Sequence, residues 1–379
     1  MPEPRREARH ATRAAPRTAL VTGSAGFIGF HLCRLLLTEG WRVIGLDAMT
    51  DYYDPALKAR RHAMLGQSEG FRPVEARLEA PGRLRALLAE APEVVVHLAA
   101  QAGVRYSIEA PRSYLEANLA GTFELLEAAR ATPPAHLLLA STSSVYGGNA
   151  EMPYREDAKA DHPLSFYAAT KKANEAMAHS YAHLFGLPTT LFRFFTVYGP
   201  WGRPDMALFK FTRAILEGQP IDVYNRGEMR RDFTYVDDLV RAIRLLFDAV
   251  PEPPAPAGQG THPGLEEEDP APASGSVEAP VPGSPHAPVP GDSLSPVAPF
   301  RIVNIGAGAP VALGDFIAAI EAATGRTAIR NPLPMQPGDV PATWAETGLL
   351  ERLTGYRPAT PLAEGVATFV AWYRNYYRV

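Results

Sequence analysis

The stretch Ala19-Leu20-Val21-Thr22-Gly23-Ser24-Ala25-Gly26-Phe27-Ile28-Gly29-Phe30 decides how this chain folds. Its first residues are apolar or β-branched without alternation, the pattern of a strand covered on both faces. Three glycines follow at a spacing of three, and a helical run over residues 28–37 comes next. Gly23 suits a tight turn, Gly26 lets the backbone approach a pyrophosphate, and Gly29 lets helix and strand pack closely. The free N–H groups and positive dipole end of such a helix suit phosphates. Gly23, Gly26, Phe27, Ile28 and Gly29 are therefore candidates to cradle a dinucleotide. The next strand, Arg42–Asp47, ends in a carboxylate. Asp47 can accept hydrogen bonds from a ribose diol and repels a 2′-phosphate, so NAD is expected rather than NADP.

Working outward, Val94–Ala99, His136–Ser141 and Phe300–Ile305 are further continuous apolar runs. Helical patterns lie between them, and this β–α–β–α order predicts an α/β, Rossmann-type, doubly wound parallel sheet. Residues 18–195 are expected to form the larger domain, with segments near 232–250 and 301–307 returning to it. A smaller C-terminal α/β substrate domain is expected from 196–231 and 311–379.

Composition narrows the classes. The chain has 379 residues, 46% hydrophobic and 21% charged, with a net charge of −4. There is no clustered basic excess of the kind that marks a nucleic-acid binder. Cys33 is the only cysteine, which excludes disulfide frameworks and thiolate metal clusters. No His/Asp/Glu cluster has metal-ligand spacing, so no metal is expected. No apolar run approaches the roughly 18 residues of a membrane span, and a soluble, cytoplasmic protein is expected. Residues 1–17 carry a net +3 and read as a disordered, solvated basic tail. Residues 251–299 hold 14 prolines, seven acidic residues, no Lys or Arg and no aromatic. Such a segment buries too little apolar surface to offset its ordering entropy, and it is expected to be a disordered insertion.

The chemistry concentrates elsewhere. In Tyr167-Ala168-Ala169-Thr170-Lys171 the phenol and the amine lie one helical turn apart on one face. A phenol of pKa ~10 becomes a usable base when cations stabilise its phenolate. Upstream, Ser141-Thr142-Ser143-Ser144-Val145-Tyr146-Gly147 follows a buried strand at its C-terminal end, where ligands sit in open α/β sheets. Thr142 is placed to share a substrate hydroxyl with Tyr167.

The glycine turn, Asp47, His97-Leu98-Ala99-Ala100, Asn118, Thr142 and the Tyr167/Lys171 pair together resemble the extended short-chain dehydrogenase/reductase family, in its branch of nucleotide-sugar epimerases and dehydratases. The likeness runs from Thr18 to Val379, the insertion excepted. It implies that Tyr167 is the acid/base, that Lys171 lowers its pKa and binds the nicotinamide ribose, and that Thr142 completes the triad. It adds Leu98, Ala99, Ala100 and Asn118 to the cofactor contacts and implies tightly bound NAD, regenerated each cycle. A homodimer through helices near Pro111–Ala131 and Tyr167–Leu184 is also implied.

Within the branch, the strings from Gln101 to Ser107 and from Arg193 to Ala207 resemble the epimerases that invert C4 of UDP-glucuronate. Dehydratase relatives carry an Asp-Glu pair after the catalytic Thr, and decarboxylase relatives a Glu. Ser143 and Ser144 stand there instead, so no acid is available for elimination. Hydroxyls of Ser143, Ser144 and Thr196 with the Arg203 guanidinium suit a C6 carboxylate, since charge-assisted bonds from Arg are the strongest available. The resemblance also assigns Arg105 to the substrate, Arg231 to the UDP diphosphate, Tyr224 to the uracil and Asp339 to the uridine ribose. Where relatives contact adenine with an Asp after the third strand, this chain has Arg77-Leu78. The paired Asp237-Asp238 reads as a helix N-terminus favouring negative charge. The alternatives left open are a UDP-glucose/galactose-type 4-epimerase, a decarboxylating or dehydrating lyase, and a non-catalytic NAD-binding module.

Overall fold

Seven parallel strands make the central sheet. They are β1 (Thr18–Thr22), β2 (Arg42–Asp47), β3 (Phe71–Glu75), β4 (Val94–His97), β5 (His136–Thr142), β6 (Thr189–Phe194) and, from much later in the chain, Phe300–Ile305. The last of these pairs with β6, and the order continues through β5, β4, β1 and β2 to β3. The sheet reverses direction between β1 and β4, and the C-terminal ends there open the crevice in which doubly wound folds bind ligands. The computed structural model describes residues 16–252, 289–336 and 338–379.

Strands β1, β4 and β5 are apolar along their middles, with polar residues at their ends, because helices cover both faces. Leu20, Val21, Val95, Val96, Leu137 and Leu138 have no exposed surface. Removing each such side chain from water contributes about 1.5–3 kcal/mol. One face packs on the helices Phe27–Thr38 and Val236–Leu246, the other on Gly121–Ala131 and Phe166–Phe185. The helix opened by the Asp237-Asp238 pair starts at Val236 and ends at Leu246. Asp237 and Asp238 lie in its first turn. Asp237 meets His31 at 3.1 Å, and Asp238 accepts from the Tyr356 hydroxyl and the Thr360 amide.

The smaller half is built around short strands. β7 (Thr196–Tyr198), β8 (Pro220–Tyr224) and β9 (Arg230–Tyr235) precede the last central strand, which is β10; β11 (Pro310–Ala312), β12 (Ile329–Leu333) and β13 (Ala342–Thr343) follow it. β9 pairs with β7, β11 and β13, and β8 pairs with β12. Because β9 belongs to this sheet, the chain returns to the larger half at Val236, a few residues after the expected boundary. Phe209, Phe233, Phe316 and Phe369 form the core here, with Phe233 and Phe316 stacked at 4.2 Å.

Two segments expected to be disordered carry structure at their ends. Arg17 forms an ion pair with Glu93 at 2.7 Å and lies over the Trp41 ring. Residues 289–299, read as part of the insertion, fold along β10: Ser295 accepts from His179 or donates to it at 2.9 Å, Asp292 pairs with Arg301 at 2.8 Å, and Ala298 is fully buried. This foot covers the outer edge of β10, which would otherwise expose unpaired backbone groups. The remaining tail and insertion residues, 1–15 and 253–288, lie outside the described residues.

Candidate functional site

The glycine turn is shaped by the space it leaves. Gly23 has φ +76°, and a Cβ there would sit 2.8 Å from the Ala99 amide nitrogen. A Cβ on Gly29 would run into the Gly23 carbonyl. Asp47, nearly buried, accepts from the Ala25 amide at 3.0 Å and from the Met49 amide at 2.9 Å. It thus fixes the turn as well as facing the cleft.

That cleft has a volume of about 300 Å³ and runs between the two halves. Gly23, Gly26, Phe27, Ile28, Gly29, Asp47, Leu98, Ala99 and Ala100 line one end. Thr142, Tyr167, Lys171 and Arg203 line the other. Arg77 also lines it, its side chain exposed and paired with Glu79 at 3.2 Å. The residues expected at a dinucleotide and at its reacting end therefore share one cavity. A cradle too tight for any Cβ, with a carboxylate beside it, fits a dinucleotide pyrophosphate and ribose.

Local sequence explains the placement of the reacting end. Ser165 caps the helix Phe166–Phe185, accepting from Ala168 N at 3.1 Å, so Tyr167 falls in the first turn and Lys171 one turn later. Thr142 ends β5, and its hydroxyl accepts from Ser144 N at 3.2 Å. Burial pushes the Tyr167 phenol up, while a hydrogen bond to Thr142 and the charge of Arg203 pull it down. Arg203 is thus one cation that acts on the phenol. The Lys171 ammonium is turned to the Ala140 carbonyl, 3.0 Å away, and burial lowers its pKa to about 8.

Asn118 is placed differently from the expectation. It is fully buried, accepts from Gln101 N at 2.8 Å and donates to Gln101 O and Thr170 Oγ1. It braces the cleft wall from behind rather than lining it. Ser143 and Ser144 sit in the short turn after Thr142, and Thr196 opens β7 between the lining residues Phe195 and Val197. None of the three lines the cavity itself.

The two residues assigned to the uridine both meet Arg105, itself assigned to the substrate. Arg105 pairs with Asp339 at 3.1 Å, and its guanidinium stands 4.7 Å from the centre of the Tyr224 ring. Arg231 donates to the carbonyls of Val340 and Pro341 and so holds the loop that carries Asp339.

Sequence reasoning missed two cations on the helix Pro55–Leu65. Lys58 lines the cleft near Asp47 and donates to Thr50. Arg61 is fully buried and donates to the carbonyls of Ala25, in the glycine turn, and Trp201, in the smaller half. The polar run Lys58-Ala59-Arg60-Arg61-His62 resembles a solvated face, and only the tertiary fold shows otherwise. Glu175 was missed too. It sits one turn after Lys171, accepts from Ser141 at 2.6 Å, and pairs bidentately with Arg193 at 2.9 and 2.8 Å. Burial alone would raise its carboxyl; Arg193 and Ser141 hold it below the usual range.

A glycine-turn cradle, a carboxylate at the end of β2 and a Thr-Tyr-Lys set in one crevice define a dinucleotide-dependent enzyme of the short-chain dehydrogenase/reductase class. The chain belongs to the NAD dependent epimerase/dehydratase family, whose model matches residues 19–256. It is 53% identical over 360 residues to a Rhizobium meliloti (strain 1021) protein named "Probable UDP-glucuronate 4-epimerase", covering 95% of this chain and 97% of that one. It is 42% identical to UDP-glucuronate 4-epimerase 4 of Arabidopsis thaliana, covering 95% of this chain and 76% of the relative. Among solved structures, UDP-glucuronic acid 4-epimerase from Bacillus cereus, in complex with UDP-glucuronic acid and NAD, superposes with a TM-score of 0.78. That pair shares 29% identity and covers 95% of this chain and all of the other.

Proposed function

We propose that the protein is an isomerase that interconverts UDP-glucuronate and UDP-galacturonate, using NAD held in the cleft. The observation that carries this is the meeting of Thr142, Tyr167 and Lys171 with the glycine turn in one cavity. Relatives with this name over nearly the whole chain support the substrate. Bound NAD supplies a hydride acceptor and donor for C4 of the sugar. Tyr167 takes the proton of the C4 hydroxyl as a general base and returns one later. Thr142, close enough to the phenol to help lower its pKa, orients that hydroxyl. The 4-keto sugar turns about its link to the diphosphate and presents its other face to the same phenol. Lys171, anchored on Ala140, is set to reach the nicotinamide ribose, and Lys58 and Arg61 add positive charge beside the glycine turn.

Arg203, which lines the cleft, is proposed to receive the C6 carboxylate, with Ser143, Ser144 and Thr196 next to the lining residues Thr142, Phe195 and Val197. Arg105, Tyr224, Arg231 and Asp339 are proposed to hold the UDP moiety, which their mutual contacts favour. A lyase reading is weakened because Ser143 and Ser144 offer no acid beside Thr142. Copies of the chain are proposed to pair through the helical segments 111–131 and 166–185, whose surface shows Leu115, Phe123, Phe166 and Leu184. Phe123→Glu with Leu184→Glu should yield monomers by analytical ultracentrifugation; an unchanged sedimentation profile dismisses that interface. Among the described residues no helix is long and apolar enough to cross a membrane. A cytoplasmic setting, where nucleotide sugars are made, is the compartment we propose. Incubating the purified protein with UDP-glucuronate tests the reaction: mass-resolved chromatography should show a new isomer of equal mass. Loss of carbon dioxide or water, or no conversion, overturns it.

A further inference from the structure

The Arg203 guanidinium is engaged by a neighbouring carboxylate. Its Nε donates to Asp205 Oδ1 at 3.0 Å and its Nη2 to Asp205 Oδ2 at 2.5 Å, a bidentate pair along one edge of the fork. The Tyr52 hydroxyl donates to the same Oδ2 at 3.1 Å, and the guanidinium lies 5.8 Å from the centre of the Tyr52 ring. Gly103, at φ +108°, keeps the meeting point open: a Cβ there would stand 3.0 Å from the Tyr52 hydroxyl and 3.8 Å from Arg203 Nη2. Arg203 and Tyr52 line the cleft, whereas Asp205 stands behind them.

A guanidinium has five donors in a fixed plane, so a carboxylate on the Nε edge takes two of them and leaves three for the cleft, two on Nη1 and one on Nη2. The same carboxylate offsets most of the charge that an incoming sugar acid would meet. A bare, buried guanidinium would clamp that acid in one pose, and the proposed reaction requires the ring to leave its pose and take another. We propose that Asp205 is a positioning residue that aims Arg203 and tempers its charge, so that a carboxylated sugar is recognised yet still free to turn over. The inference rests on the reading of the substrate as a UDP-sugar acid.

The test compares wild type, Asp205→Asn and Asp205→Glu, all loaded with NAD, in titrations with UDP-glucuronate and with UDP-glucose. Removing the competing charge should tighten UDP-glucuronate binding roughly tenfold, the yield of one unshared charged hydrogen bond. UDP-glucose, which has no carboxylate, should bind as before. In turnover, KM and kcat for UDP-glucuronate should fall together, and Asp205→Glu should restore both toward wild type. A merely structural Asp205 would shift both ligands alike, and that result overturns the proposal, as does weaker UDP-glucuronate binding. Asp205→Ser carries the same expectations if the amide variant does not fold. Wild type that fails to convert UDP-glucuronate overturns the functional reading itself; normal conversion with unaltered selectivity in the variants overturns only the role of Asp205.

Discussion

Lys171 should make the stability of this protein rise with pH in a window that its methionine variant lacks. The side chain is buried, its ammonium held by one carbonyl, that of Ala140, at 3.0 Å. Burial pulls its pKa from the ordinary 10.5 to about 8, with the nearby Glu175 charge opposing the fall. Below about pH 8 the lysine is protonated in both the folded and the unfolded chain, and stability does not vary with pH through this group. Between about pH 8 and 10.5 the unfolded chain holds a proton that the folded one has released, so stability climbs as pH rises. At about 1.4 kcal/mol per tenfold change in proton affinity, keeping the ammonium inside the fold costs about 3 kcal/mol near neutrality. By about pH 10 most of that cost is gone. Lys171→Met has no such proton, while every other titrating group is shared with wild type and cancels in the comparison. Urea unfolding of the dinucleotide-free proteins at several pH values gives the two curves. The wild-type curve should converge on, or pass, the variant's by about 2–3 kcal/mol between neutrality and about pH 10. Parallel curves would refute the reasoning, because they would mean that Lys171 titrates as an exposed lysine does.

Three further outcomes follow from the same geometry. Tyr167→Phe should abolish turnover while leaving the dinucleotide bound, read by turnover assay and by the absorbance of the released cofactor; undiminished activity removes the phenol from the chemistry. Glu175→Ala strips the buried Arg193 of its partner and frees Ser141 beside Thr142. It should lose about 3–5 kcal/mol in chemical denaturation, and a loss below about 1 kcal/mol would place the pair among solvated ones. Arg203→Ala should let the 4-keto acid lose its carboxylate, giving pentose nucleotide and accumulating NADH. If neither appears and UDP-glucuronate binds unchanged, Arg203 does not hold the carboxylate.

The parts of the fold governed by local pattern were legible in the sequence. Strands such as Arg42–Asp47 and Phe300–Ile305 announce themselves because a strand buried on both faces is largely apolar without strict alternation. The glycine turn and the Tyr167/Lys171 spacing are likewise local, set by backbone sterics and helical periodicity. What escaped depends on distant partners. Arg61 reads as a surface residue until Ala25 and Trp201 are seen to bracket it. Arg203 reads as a free cation until Asp205 and Tyr52 close on it. Residues 289–299 have the composition of a linker, yet the open edge of β10 gives them backbone and side-chain partners. Asn118 matches a cofactor-contacting position by its setting, but its amide is used inside the protein on Gln101 and Thr170.

The central assertion is that C4 is oxidised and reduced within one closed cycle governed by Tyr167. UDP-glucuronate carrying deuterium at C4, converted in ordinary water and read by NMR, tests it most directly. The label should survive at C4 of the galacto product, because the hydrogen that leaves is the one that returns. Product with hydrogen from water at C4, or label lost in step with conversion, would contradict the account.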